Sequence, residues 1–196
     1  MKKFLVMVVA AIMASMSVNA QVANNVYYRV QVGANLSTLT GSDFAKYKVG
    51  WTVNTGFDFS FTNNFALGLD IIHDYIGAKS KVLDENVNLD YLGFGALARY
   101  YVTPWVGFYA GPEINFLTSA KVEDRGINSA CKKTEFTVPL GVTFEPEIGR
   151  SISLVIDFRY RLGLSKVNKD SFLGVDGVDK LRNSAFILTL GVKRPF

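Results

Sequence analysis

Cysteine and histidine are almost absent from this sequence of 196 residues, which contains one of each. Cys131 lies in a polar segment and has no second cysteine to pair with, so an internal disulfide is excluded and we interpret it as an incidental thiol. With His73 as the only histidine, the chain lacks a metal-ligand cluster. It also lacks a phosphate-binding glycine loop and a nucleotide fingerprint. These absences predict a protein without a cofactor or a metal.

A large excess of one charge is also missing. The whole chain has 21 basic and 17 acidic residues. Removing Lys2 and Lys3 with the N-terminal segment described next leaves 19 basic residues against 17 acidic ones. Binding to nucleic acid needs a clustered excess of lysine and arginine, so we expect no nucleic-acid partner.

Long hydrophobic runs are confined to the N-terminus. Lys2 and Lys3 precede the apolar run from Phe4 to Met13, and small residues then lead to Val18-Asn19-Ala20. This order predicts a secretory signal peptide over residues 1–20, followed by a single domain over residues 21–196. After residue 20 no run approaches the ~18 apolar residues that a membrane helix requires. Yet 49% of the chain is hydrophobic, which favours a spanning structure with interleaved polar residues.

The stretch from Ile152 to Leu164 alternates strictly between apolar and polar positions. Successive side chains of a strand point to opposite faces, so one face of this stretch is apolar and the other carries three charges. Its length suits a membrane-spanning barrel strand, which needs about 9 to 11 residues plus its ends.

Seven further stretches repeat this pattern, and long and short connections alternate between them. The sequence therefore predicts an all-β fold: an eight-stranded antiparallel up-and-down transmembrane β-barrel with long loops outside and both termini in the periplasm. The predicted strands are 28–36, 51–61, 65–75, 92–101, 107–116, 136–145, 152–164 and 185–196, and the predicted long loops are 37–48, 77–90, 118–135 and 165–182.

Glycine and charge share the polar face of these strands, and Pro112 and Pro139 are the two weak points, because a proline inside a strand removes a ladder bond unless a bulge lies there. An eight-stranded barrel is just wide enough to be filled by side chains. We therefore predict a lumen filled by a paired charge network. Its members are Arg29, Asp58, Asp70, Asp74, Arg99, Glu113, Glu145, Asp157, Arg159, Arg161 and Lys193.

Several segments resemble the small outer-membrane β-barrel proteins of the Bacteroidetes, the porin-family or outer-membrane β-barrel domain. They are V-Q-V-G-A-N-L-S near residue 30, L-D-I-I-H-D-Y at 69–75, Y-L-G-F-G-A-L-A-R-Y-Y at 91–101, A-G-P-E at 110–113 and the closing aromatic. The resemblance implies an OmpA/OmpX-like monomer in the outer membrane of a Gram-negative cell, with outer-membrane lipid as its surroundings. Thr189, Gly191 and Phe196 resemble the C-terminal signal read by the barrel-assembly machinery, although Arg194 stands where that signal prefers an apolar residue.

Four functions are open at this stage. The first is a non-enzymatic barrel with a structural role or a surface role, whose loops meet an unidentified extracellular ligand. The second, which the name porin implies, is a narrow channel for ions or small solutes. The third is a lipid-modifying enzyme at the outer rim using His73, Asp74 and Ser80, although adjacent strand residues point oppositely and Asp74 is badly placed to orient His73. The fourth is a soluble lipocalin-like barrel, against which the aromatic residues at the strand ends argue.

Overall fold

A computed structural model describes residues 25–41, 45–80, 86–122, 125–149, 151–168 and 181–196. The predicted signal peptide lies outside these ranges. Within them, no helix is long and apolar enough to cross a membrane. The strands are Val26–Thr40 (β1), Ala45–Lys46 (β2), Lys48–Ser60 (β3), Phe65–Ser80 (β4), Asn86–Thr103 (β5), Val106–Ala110 (β6), Glu113–Val122 (β7), Arg125–Gly126 (β8), Thr134–Phe144 (β9), Glu147–Gly149 (β10), Ile152–Gly163 (β11) and Arg182–Pro195 (β12).

These strands form one closed antiparallel ring with eight walls. The walls follow the chain in the order β1, β3, β4, β5, the split strand β6/β7, β9, β11 and β12. The ring closes because β12 pairs with β1 from Tyr27↔Pro195 to Thr40↔Arg182. The short strands β2, β8 and β10 extend neighbouring walls. The predicted eight-stranded up-and-down barrel is confirmed.

Burial alternates along the walls as the strand pattern predicted. On β11, Val155 is 0% and Asp157 1% exposed, whereas Phe158, the residue after Asp157, is 50% exposed. The apolar positions of the other walls are likewise exposed, among them Val32, Leu69 and Leu190. An exposed apolar belt around a charged interior is the arrangement of a barrel that faces lipid, and it is the reverse of the lipocalin-like alternative.

Both prolines lie at one break in the sheet. Pro112 occupies the two-residue gap between β6 and β7, and Pro139 lies on β9 directly opposite this gap. The register with β9 is the same before and after the gap, so no bulge lies there. The Pro112 carbonyl still accepts a hydrogen bond from the Ala96 N–H, at 3.0 Å. The two backbone positions that lack an N–H donor therefore lie together, at one interruption of the sheet.

The predicted loop bounds are wrong in one consistent direction. β1 continues to Thr40, β4 continues to Ser80, β5 begins at Asn86 and β7 continues to Val122, so strands occupy much of three predicted loops. We call this end of the barrel the loop end. The turn end is the opposite one, where residues 61–64, residues 104–105 and the segment that contains β10 connect the walls. The strands at the loop end lack the strict alternation that marked the rest, because loop residues cover them there.

Candidate functional site in the barrel lumen

The structure places all eleven residues of the predicted charge network inside the ring. Each of them has 5% or less of its surface exposed. Ten occupy inward-facing positions of the walls, and Glu145 directly follows β9. Charged groups without water must be paired, so the contacts between them decide what the lumen can do.

The centre of the lumen holds two aspartates between two arginines. Arg29 contacts Asp58 at 3.2 Å and Asp70 at 2.5 Å, and Arg99 contacts the same two carboxylates at 3.0 and 3.3 Å. Towards the turn end, Lys193 lies 3.2 Å from Asp58. Each aspartate therefore faces at least two cations, which offsets the cost of removing it from water.

Nearer the loop end the ratio of charges is reversed, because one cation, Arg161, faces three carboxylates. Its guanidinium contacts the carboxylates of Asp74, Glu113 and Glu135 at 2.5, 3.4 and 3.3 Å. Glu135 was missed in the sequence prediction, which assigned it to a loop, yet it is 1% exposed. Glu135 lies two residues before Thr137 and therefore on the polar face of β9. Extending the predicted strand by one residue would have placed it in the lumen.

The remaining charges join these groups into one network. Arg159 lies 3.8 Å from Asp70, 4.0 Å from Glu113 and 3.8 Å from Asp157, and Lys193 lies 2.8 Å from Glu145. With Glu135 included, the network contains seven acidic and five basic residues, and each is joined to another member by an ion pair.

Tyrosines on the inward face extend this network. The Tyr109 hydroxyl donates to Asp157 at 2.8 Å and accepts from Arg159 Nε at 2.9 Å. Its ring lies under the Arg99 guanidinium, 4.5 Å from the centroid. Glycine makes room for this ring, because a Cβ at Gly141 would lie 2.2 Å from Tyr109 Cζ. Inward glycines such as Gly141 therefore leave room for particular neighbouring side chains.

We expect Gly141→Ala to lower the free energy of unfolding by about 1–3 kcal/mol, the usual cost of overpacking. Urea unfolding of the refolded barrel measures this. Gly126→Ala is the matched control, since a Cβ there meets nothing within 4 Å. Equal stability of the two variants would contradict the packing described here.

Direct contacts cross the lumen between opposite walls at four successive levels. From the turn end, Lys193 Nζ lies 3.0 Å from the Tyr101 hydroxyl, connecting β12 with β5. The next two levels connect β11 with β4, and the last again connects β12 with β5. These upper contacts are Arg159–Asp70 at 3.8 Å, Arg161–Asp74 at 2.5 Å and Asn183–Tyr91 at 3.4 Å.

An apolar cluster covers the network at the loop end. It consists of inward residues of β1, β4, β5 and β7 together with residues from the connecting segments. Backbone hydrogen bonds hold these segments down, including Lys132 N–H to Val167 O at 2.7 Å and Val167 N–H to Leu181 O at 2.9 Å. We call this cluster the loop-end cap: Leu39, Ile76, Ala78, Val87, Leu89, Tyr91, Ala120, Val122, Cys131, Val167 and Leu181.

The polar sequence neighbours of Cys131 suggested a polar environment, but the structure places this residue in an apolar one. It is 0% exposed within the loop-end cap. Its polar neighbours Lys132 and Lys133 are exposed, so the short segment turns only this side chain inward. Sequence alternation could not show this, because the segment is not part of a wall.

His73 and Asp74 face opposite sides of the wall. His73 points outward and packs edge-on against Trp51, with ring centroids 4.9 Å apart. Asp74 points inward, where it accepts hydrogen bonds from Thr52 and Arg161. The Ser80 side chain lies outside the described part. The acid is therefore unable to orient the imidazole, and the arrangement favours an interfacial role for His73.

The three residues of the predicted assembly signal have different surroundings. The Thr189 hydroxyl lies inside the barrel and accepts a hydrogen bond from the Gln31 amide at 3.1 Å. Gly191 pairs with Gln31 across the closing seam. Phe196 is 90% exposed and its ring packs edge-on against Phe57. Their shared strand closes the ring, and their part in assembly stays a prediction.

Comparison with known proteins agrees with this architecture. Neisserial surface protein A is 18% identical, with 86% of this chain and 97% of that chain covered and a TM-score of 0.53. Ail from Yersinia pestis, solved with the heparin analogue sucrose octasulfate, is 14% identical over 86% and 99%, with a TM-score of 0.52. OprG from Pseudomonas aeruginosa is 14% identical over 92% and 99%, with a TM-score of 0.50. Identities this low show a shared fold only.

Sequence comparison places the chain in a family. A search of curated proteins gave no match. None of the comparisons indicates a bacterial group, so a Bacteroidetes origin stays a prediction. The family model of the outer membrane protein beta-barrel domain, however, matches residues 8–193, which covers the whole ring except the last two residues of β12. The chain therefore belongs to the outer membrane protein beta-barrel domain family.

Proposed function

We propose that this protein is a closed, non-conducting barrel of the outer membrane, with a structural or surface-interaction role at its loop end. The observation that carries the proposal is the set of contacts between opposite walls, which cross the lumen at four levels. A bore of eight strands holds side chains and little else. The loop-end cap adds a dry layer above the ion pairs, so a solute would meet two different barriers.

A conducting path would require these contacts to separate. Breaking a buried ion pair costs about 3–5 kcal/mol when a charge is left without its partner. Arg161–Asp74 and Arg159–Asp70 are both members of the connected network, so moving one group disturbs its neighbours. This cost favours a permanently closed lumen over a channel that opens by small side-chain movements.

We further propose that the loop end faces the outside and both termini face the periplasm. Support comes from the even number of walls, which brings the chain ends to the turn end together, and from the short turns there, as in outer-membrane barrels. The loop end then presents its four connecting segments to the surroundings. No catalytic step is needed for this role, and the opposite orientations of His73 and Asp74 support a non-enzymatic barrel.

Planar-bilayer recording on the refolded protein tests the proposal. We expect no stepwise current across salts and voltages, while a general porin inserted in the same way conducts. Stepwise conductance whose ion selectivity changes in Arg159→Gln and Arg161→Gln would contradict it, because lumen residues set the selectivity of a barrel that conducts.

A further inference from the structure

The carboxyl group of Glu135 shares its cation with two other acids. It lies on β9, is 1% exposed, and pairs at 3.3 Å with Arg161, the one cation that contacts it in the described part of the chain. The same guanidinium also pairs with Asp74 and Glu113. A carboxylate that is removed from water needs a compensating charge, and a shared guanidinium supplies only part of it.

The other two acids beside this guanidinium have further partners. Asp74 also accepts a hydrogen bond from the Thr52 hydroxyl. Glu113 accepts one from the Thr137 hydroxyl at 3.0 Å, and its second oxygen lies 4.0 Å from the Arg159 guanidinium. Each of these two groups therefore has a donor or a cation beside both of its oxygens, as suits an ionised carboxylate, which only accepts hydrogen bonds.

The two oxygens of Glu135 are provided for unequally. Oε2 accepts a hydrogen bond from the Asn183 amide at 2.9 Å and faces Arg161. Oε1 is buried and has no hydrogen-bond partner among the residues that the structure describes. It lies close to Gly163, where a Cβ would come within 3.1 Å of it. Burying a neutral hydroxyl at such a place costs far less than burying an ionised oxygen.

We propose that Glu135 binds a proton at neutral pH and forms a pH-sensitive contact beneath the loop-end cap. The proton would lie on Oε1, which leaves Oε2 as the acceptor for its two donors. A neutral Glu135 also removes one of the three negative charges around Arg161, and a like charge nearby disfavours ionisation. The titratable and charged groups that face it come from four walls and one connecting segment: Asp74 (β4), Tyr91 (β5), Glu113 (β7), Arg161 (β11) and Cys131.

Two connections join Glu135 to the loop-end cap. Its own segment leads within four residues to Cys131, which is 0% exposed in the cap. The Asn183 amide that donates to Glu135 also donates to the hydroxyl of Tyr91, another member of the cap, at 3.4 Å. Loss of the proton creates a third carboxylate at a place without water, where repulsion between like charges is strong. We therefore expect alkaline pH to loosen the cap.

This inference goes beyond the closed barrel and its orientation, and separate experiments test those. Conductance in the planar bilayer would overturn the closed barrel. An impermeant maleimide should label Lys132→Cys on intact cells in a Cys131→Ala background, and labelling only after lysis would overturn the proposed orientation. Neither result changes what is expected for the proton on Glu135.

Infrared spectroscopy of the refolded protein, in a detergent without ester groups, tests for the proton. A protonated carboxyl group has a carbonyl band that is separate from the bands of carboxylates. We expect this band at neutral pH in the wild-type protein and in Glu145→Gln, and we expect it to be absent from Glu135→Gln. Glu145 is the matched control because both of its oxygens have donors, from Tyr101, Thr143 and Lys193. A wild-type protein without the band, a band that persists in Glu135→Gln, or its loss in Glu145→Gln would each overturn the proposal.

Alkylation of Cys131 by a small water-soluble reagent tests the connection with the cap. At each pH the rate for the wild-type protein is divided by the rate for Glu135→Gln, so that the pH dependence of the thiol itself cancels. Because opening of the cap releases one proton from Glu135 to water, we expect this ratio to rise about tenfold for each pH unit. It should become constant where the closed form also loses the proton. A ratio that does not rise with pH, or a thiol that stays unreactive at every pH, would overturn the pH-sensitive contact.

Discussion

Arg161→Met is expected to lower the free energy of unfolding by about 3–5 kcal/mol, the cost of leaving buried charge without its partner. Among the residues that the structure describes, Arg161 is the one cation that contacts all three carboxylates of Asp74, Glu113 and Glu135. Methionine keeps most of the side-chain length, so the loss reports on charge rather than on a cavity. Urea unfolding of the refolded protein in lipid vesicles measures it.

Removing the surplus negative charge should restore part of the lost stability. Adding Asp74→Asn and Glu135→Gln to Arg161→Met replaces two carboxylates by neutral groups, and we expect recovery of at least about half of the loss, because an ion cluster replaced as a unit is close to neutral. Arg194→Met serves as the exposed control, with a change within about 0.5 kcal/mol. An Arg161→Met variant as stable as this control would contradict the network.

Leu190→Arg is expected to cost about 2–4 kcal/mol, the penalty for an arginine at the lipid-facing midplane of a barrel. Leu190 is 53% exposed and lies between Val32 and Ile156 of the neighbouring walls. Along the chain it stands between the aromatic residues Phe186 and Phe196. The midpoint of urea unfolding in vesicles measures the change.

Depth in the membrane provides the control for this second variant. Val102 is also outward-facing and about half exposed, but it lies at the turn end of β5. The cost of arginine falls to about 0–1 kcal/mol near the interface, so Val102→Arg should be tolerated, as the native Arg194 is. Equal penalties at both positions, or none at Leu190, would show that this face does not contact the hydrocarbon.

Alternation along single strands was enough to predict the ring and the interior charges. Each lumen residue follows from a local rule, since successive side chains of a strand point to opposite faces. Glu135 was missed only because the predicted strand began one residue after it, at Phe136. The aromatic rows at the strand ends, such as Trp51 and Tyr75, were likewise visible from position alone.

Contacts between distant walls were not predictable in this way. The contact between Asp74 and Arg161 depends on the tilt and stagger of β4 and β11, because the two residues are 87 positions apart in the sequence. The loop-end cap was missed for a related reason. Cys131 and Val167 belong to segments without alternation, and their burial results from hydrogen bonds between two connecting segments rather than from a strand pattern.

The central claim is that lipid lies outside the wall and that no water path runs inside it. A nitroxide scan along β11 tests both parts at once. Single cysteines at positions 153–162, in a Cys131→Ala background, carry the spin label. Its collisions with oxygen and with a water-soluble nickel complex are then measured at each position. We predict oxygen collisions that peak at every second residue, with maxima at Leu154, Ile156 and Phe158, and exclusion of nickel from all of the inward positions. Nickel collisions at Val155, Asp157 and Arg159, or oxygen collisions without this alternation, would contradict the closed barrel.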